Sequence, residues 1–226
     1  MRDWHIAVLE KLPEVPPDKA RYLIRHKKEL GKLLRQALAD ARQSFSDVIA
    51  EWERFYQKYF GMEVDLSVVR IPDDPGGFER VLLIAADLTP NMVFEVCKSK
   101  FPSRKYVEDL DRDVPQNERD PKDGAYAIRV RDRVKADEEF ANRSAESIAQ
   151  EGLKTETLLE RMIHELKFFD ETGRHLDIRN WTLCSGSRCS DGRVPLVSWA
   201  GGGFGVYWYS PRVAGGGWRP HLVVSS

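Results

Sequence analysis

Apolar residues recur at steps of three and four along the first sixty positions: Leu23, Ile24, Leu30, Leu34, Ala37, Leu38 and Ala41, then Phe45, Val48, Ile49, Trp52, Phe55, Tyr56 and Tyr59. That period puts each set on one face of a helix. Asp18, after Pro16-Pro17, offers a carboxylate to the unpaired N–H groups of the first turn, and Gly61 offers a stop. Arg21, Arg25, Lys28, Lys32 and Arg35 form a basic opposite face. Whether Gln43-Ser44 bends one helix or separates two stays open.

The middle of the chain switches between periods. Val64 to Val68 alternates like a half-buried strand, and Arg80 to Ala85 is a continuous apolar run of the kind a buried strand makes. A turn is expected between them at Asp73 to Gly77. Thr89-Pro90 pairs a cap residue with proline at the first helical position, predicting a helix through Val93, Phe94, Val96 and Cys97. Residues 107 to 124 read as loop and Ala125 to Val130 as a strand. Ser144 and Thr155 are expected to cap two later helices, the last carrying Leu159, Met162, Ile163, Leu166 and Phe169 on one face and ending at Gly173.

Beyond residue 178 the pattern is strands and tight turns. Val194 to Trp199 and Phe204 to Tyr209 flank Ala200-Gly201-Gly202-Gly203, a hairpin signal. Phe204, Val206 and Trp208 share one face and Tyr207 and Tyr209 the other, so both faces are expected to be covered. Leu222 to Val224 supplies a further strand. The predicted class is α+β: N-terminal amphipathic helices, a central mixed α/β layer and a C-terminal antiparallel aromatic-rich sheet. The expected division is a helical segment 1–60 and an α+β domain 61–226 with 178–226 as its β subregion, the two parts being continuous as an alternative.

Composition narrows the class of molecule. With 226 residues, 42% hydrophobic and 31% charged, the chain is suited to an ordinary folded core. No apolar run reaches membrane-spanning length and the first residues lack a signal-peptide pattern, so a soluble cytoplasmic protein without membrane contact is expected. Three cysteines suit reduced thiols. The net charge of −1 conceals an asymmetry: +3 over residues 1–60, −8 over 61–177 and +4 over 178–226. The last segment also holds four of the six tryptophans.

No catalytic motif is complete. His164-Glu165 opens like a zinc-protease helix, but the position four after His164 is Phe168. His175, Asp177, Cys184 and Cys189 are suitable zinc donors at an unfamiliar spacing. Asp109, Asp111 and Asp113 match the first three ligand positions of a calcium loop, yet Val114 stands where the sharp turn needs glycine. Neither Gly31-Lys32-Leu33 nor Gly201 to Gly205 makes a phosphate cradle, and Ser185-Gly186-Ser187 is not a nucleophile elbow. Cys184 remains a candidate thiol nucleophile if a distant histidine meets it in space. The tail interleaves Arg179, Arg188, Arg193, Arg212 and Arg219 with Tyr207, Trp208 and Tyr209, the mixture that stacks on bases and contacts phosphates. Alternating aromatics also build the core of a small sheet.

Two stretches, Arg129 to Glu139 and Asp170 to Arg188, together with Glu108-Asp109-Leu110-Asp111 and Tyr207-Trp208-Tyr209, resemble a family of uncharacterised proteins from uncultivated bacterial lineages over residues 45 to 226. The resemblance implies no activity, cofactor or site residue. The leading expectation is a non-enzymatic cytoplasmic binding protein with a protein or nucleic-acid partner, using Arg179, Arg188, Arg193, Tyr207, Trp208 and Tyr209. The alternative is a metal-dependent hydrolase or nuclease holding a divalent metal at Asp109, Asp111 and Asp113, with His175 nearby; no other cofactor is expected. A third reading is a homo-oligomer held by the 18–60 helices.

Overall fold

The computed structural model describes residues 26 to 225, so Asp18, Arg21, Leu23, Ile24 and Arg25 lie outside the described residues. The chain divides into two compact units, Met1–Val48 and Ile49–Ser226. The boundary falls inside one continuous helix, α1 (Lys27–Phe60), which runs unbroken through Gln43-Ser44. Its last turns belong to the second unit because their aromatic side chains are core: Trp52, Phe55 and Tyr56 are buried, and the Tyr56 hydroxyl donates to Leu83 O and accepts from Ala85 N–H.

The described residues form an α+β fold, with three sheets. In the first, β4 (Tyr126–Val130) pairs antiparallel with β1 (Arg80–Ile84) on one side and β10 (Val224–Ser225) on the other. The second has the order β2 (Ser103–Lys105), β8 (Gly203–Tyr209), β7 (Val194–Ala200), β5 (Trp181–Leu183), β9 (Trp218–Arg219). The third pairs β3 (Gln116–Asn117) with β6 (Ser187–Arg188). The β7–β8 hairpin turns at Gly201 and Gly202, with φ of 60° and 76°, a turn that only residues without a side chain adopt cheaply.

Local chemistry sets the helices. Thr89 caps α2 (Pro90–Lys100) by accepting from Met92 N–H. Asp109 caps the short α3 (Leu110–Asp113), and Ser144 caps α4 (Ala145–Gln150). The last helix, α5 (Leu158–Thr172), is capped by Thr157 and not by Thr155. Thr157 Oγ1 accepts from Glu160 N–H at 3.2 Å while Glu160 Oε2 accepts from Thr157 N–H at 2.7 Å, a reciprocal box that Thr155 cannot make because Leu158 stands three residues after it; Thr155 pairs with Leu222 as an isolated bridge. Thr157→Ala is expected to cost about 1–2 kcal/mol, measurable as a lower urea midpoint at unchanged slope.

Three expectations are corrected. Val64 to Val68 is not a strand: Asp65 Oδ1 accepts from both Ser67 N–H and Ser67 Oγ, and Glu53 takes Leu66 N–H, so the backbone bends locally and Val68 is exposed. Residues 107 to 124 are not wholly loop but contain α3 and β3. The second sheet is antiparallel only at its centre, since β2 runs parallel to β8 and β9 parallel to β5, while the terminal strand joins β4 instead. These edge pairings join segments distant in the chain, which no local pattern signals.

Helix α5 is the centre of the fold. It packs against β1 of the first sheet, β7 of the second and α2. Every residue from Leu158 to Phe168 is buried, polar ones included. An amphipathic pattern ordinarily turns its polar side to water; here that side is covered.

Candidate functional site: a buried charged cluster and an aromatic sheet face

The covered side of α5 presents Arg161, His164 and Glu165, spaced to share one face. The Arg161 guanidinium donates to Glu165 Oε2 at 3.0 Å, Asp177 Oδ2 at 3.2 Å and Thr182 Oγ1 at 2.9 Å. Asp177, held at a φ of 49°, also accepts from Ala136 N–H, Asn180 Nδ2, Thr182 Oγ1 and His221 Nε2. His164 Nδ1 lies 2.8 Å from Glu156 Oε1, and the rings of His164 and His221 are 5.3 Å apart. Glu165 Oε1 meets His175 Nδ1 at 2.9 Å. At the mouth of the helix Arg119 makes a two-pronged pair with Glu160, at 2.6 and 2.9 Å, and reaches Thr155 O.

The backbone brings these residues together. Glu156 N–H donates to His221 O, tying the segment before α5 to the C-terminal segment. Gly186 N–H donates to Glu156 O, and a Cβ at Gly186 would lie 2.7 Å from Thr155 O, so only glycine lets the loop close on the segment before α5.

The electrostatics follow from burial and pairing. Burial pushes the Asp177 carboxyl up, but the His221 hydrogen bond with the charges of His221 and Arg161 outweighs it and holds it below the usual carboxylate range. Burial likewise raises Glu156, and the two histidines bring it net downward. His164 is lowered by burial against the pull of Glu156. His221 ends raised, because Glu156 and Asp177 overcome its burial. Burial raises the Cys184 thiol well above its ordinary value, with Glu156 adding to the shift, so Cys184 is a protonated core thiol and not a poised nucleophile. All three cysteines are buried and free.

The acidic loop has a different use. Asp109 Oδ1 accepts from Asn91 Nδ2 and from the N–H groups of Asp111 and Arg112; Asp111 accepts from Asn91 N–H; Asp113 pairs with Arg112. Asp109 thus caps α3 and Asp111 takes an N–H of the first turn of α2, while Asp113 is held in an ion pair. His175 stacks on Trp199, with centroids 3.3 Å apart. Among the described residues the grouping of His, Cys, Asp and Glu able to converge on one ion is Glu156, His164 and His221.

The tail residues divide between two faces. Trp208 lies beneath the Arg193 guanidinium, 5.5 Å away, on the side shared with Val206 and Phe204. Arg188 donates to Ser185 O and Ser187 O, and Arg179 is exposed. Tyr207 and Tyr209 lie on the opposite side, which carries Trp181 and Trp218 in register on β5 and β9. Tyr106 adjoins Tyr207 at 5.0 Å, Tyr207 adjoins Trp181 at 4.8 Å, and Trp218 adjoins Tyr209 at 4.4 Å. Beneath this row Ala145, Ile148, Leu183, Val194 and Leu196 form a small core. Tyr106 is 65% exposed and Tyr209 44%. Arg104 donates to the Tyr207 hydroxyl at 2.8 Å, and Arg212, three residues after Tyr209 in the chain, is exposed and lies 3.6 Å from Glu146.

Sequence reasoning missed Glu156, His221, Tyr106 and Arg104. Each acquires its place through pairing between distant segments, and nothing local marks it. Among the described residues no helix is long and apolar enough to cross a membrane. No protein-family model, no curated protein and no solved structure matches the chain.

Proposed function

We propose that the protein is a non-enzymatic cytoplasmic binding protein whose aromatic sheet face takes single-stranded nucleic acid. The observation that carries this reading is the row Tyr106, Tyr207, Trp181, Trp218 and Tyr209 along one sheet face, with Arg104 bonded to Tyr207. Unstacked bases bury on such rings regardless of sequence, and arginines beside them meet the phosphates. The rings are anchored by the small core below, so little side-chain freedom is lost on binding. Of the residues singled out in the sequence, Tyr207 and Tyr209 belong to this surface and Arg179 precedes Trp181 in the chain; Arg188, Arg193 and Trp208 do not contribute.

The test is titration of the protein with labelled single-stranded DNA and RNA at several salt concentrations, following tryptophan fluorescence. Binding is expected to quench Trp181 and Trp218 and to weaken linearly on a log–log salt plot. Tyr209→Ala and Tyr106→Ala, both at exposed positions, are expected to weaken binding about 5- to 150-fold each, since one base–ring stack contributes about 1–3 kcal/mol. No binding at low salt, or binding unchanged in the Tyr106→Ala/Tyr209→Ala double variant, overturns the reading.

A further inference from the structure

The buried cluster on α5 contains more electron-pair donors than the protein supplies protons for. Glu156 Oε1 and Asp177 Oδ2 accept from His164 Nδ1 and His221 Nε2. A carboxylate only accepts, so those two nitrogens carry the N–H, and in the neutral form of each ring the lone pair falls on its other nitrogen. Those other nitrogens, His164 Nε2 and His221 Nδ1, are buried without a hydrogen-bond partner, and so is Glu156 Oε2. Three orphaned acceptors in one cluster exceed the two protons one water could offer, and each buried orphan costs about 1–3 kcal/mol. The charges point the same way: the carboxylates of Glu156, Glu165 and Asp177 are buried against the single buried guanidinium of Arg161. Those three carboxylates exceed the one guanidinium by two negative charges.

We infer that Glu156, His164 and His221 form a binding site for one divalent transition metal ion of borderline softness, with Zn²⁺ as the reference ion. One carboxylate oxygen and one nitrogen from each histidine lie within 4.8 Å of one another. Bonds of about 2.0–2.2 Å call for ligand atoms roughly 3.5 Å apart, so binding draws the three side chains together and replaces the His164 Nδ1–Glu156 hydrogen bond with bonds to the ion. Two imidazoles and a carboxylate are the donors that suit Zn²⁺, Fe²⁺ or Co²⁺ and not Ca²⁺ or Mg²⁺. Asp177 stands behind His221 as the oriented carboxylate that histidine ligands ordinarily have. Because Glu156 stands just before α5, His164 lies on it and His221 belongs to the C-terminal segment, the ion ties that segment to the central helix and stabilises the folded state. The site is independent of the aromatic face, and its burial assigns the ion a structural role.

The experiment is to unfold the purified full-length chain in denaturant with a chelator, remove both, and refold it with and without Zn²⁺ or Co²⁺. The expected result is one equivalent of metal per chain by elemental analysis, a higher unfolding midpoint in the metal-loaded sample, and cobalt d–d absorption bands that imidazole ligation produces. His221→Gln and Glu156→Gln are expected to lose the bands and the equivalent of metal, whereas Asp111→Asn in the acidic loop retains both. If a ligand variant fails to refold, cobalt titration of the wild-type chain decides alone. Wild-type protein that takes up no metal and shows no bands or midpoint shift overturns the site, as does metal retained by His221→Gln or lost from Asp111→Asn.

Discussion

Arg161→Leu is expected to destabilise the fold by about 3–5 kcal/mol, the range found when one partner is removed from a buried ion pair. The guanidinium is fully buried and holds Glu165, Asp177 and Thr182 at once. Leucine fills part of the volume but leaves two carboxylates without their cation. For a chain of this size the loss corresponds to a midpoint lower by roughly 6–20 °C, read by thermal or urea unfolding. The companion Arg161→Leu/Glu165→Leu isolates the cause: removing both charges together is expected to cost less than the sum of the single changes. Additive losses would mean that Arg161 acts by packing and not by charge.

Trp52→Ala is expected to cost about 3–5 kcal/mol, as large aromatic truncations in cores do. Trp52 is 2% exposed, edge-to-face with Phe55 at 5.2 Å and beside Tyr56 at 6.0 Å. The Lys167 ammonium lies 5.4 Å over its ring while pairing with Glu51 and Glu171. Truncation removes the ring from both the aromatic cluster and the cation. Trp52→Phe retains most of the buried area and is expected to lose less than half as much. Urea unfolding of the two variants checks the order, and an equal loss would assign the effect to the indole specifically.

Much of the local structure was legible because it rests on neighbours in the chain. Thr89-Pro90 opened α2 as its cap chemistry requires, the glycine pair turned the hairpin, and the apolar set from Leu159 to Phe169 marked α5. The misses have different causes. For the α5 cap the local signal was present, since Glu160 stands three residues after Thr157 and Leu158 stands three after Thr155. Asp109, Asp111 and Asp113 read as metal donors because spacing alone does not reveal that Asn91, from α2, supplies hydrogen-bond donors to two of them.

The sequence by itself determined the α+β class, the helical character of the stretch before Gly61, the hairpin and the identity of the side chains that share each face, because helix and strand periods are properties of the backbone; that this stretch is one helix through Gln43-Ser44 came from the structure. Only the tertiary structure decided what covers each face. The polar side of α5 became the charged interior because β7, the Asp177 loop and the His221 segment close over it, and charges with partners of that quality survive burial. The aromatic side of β8 remained half open because its cover is the six-residue α4, too short to span the row. Periodicity records which side chains point together; the pairing of distant segments records what they meet.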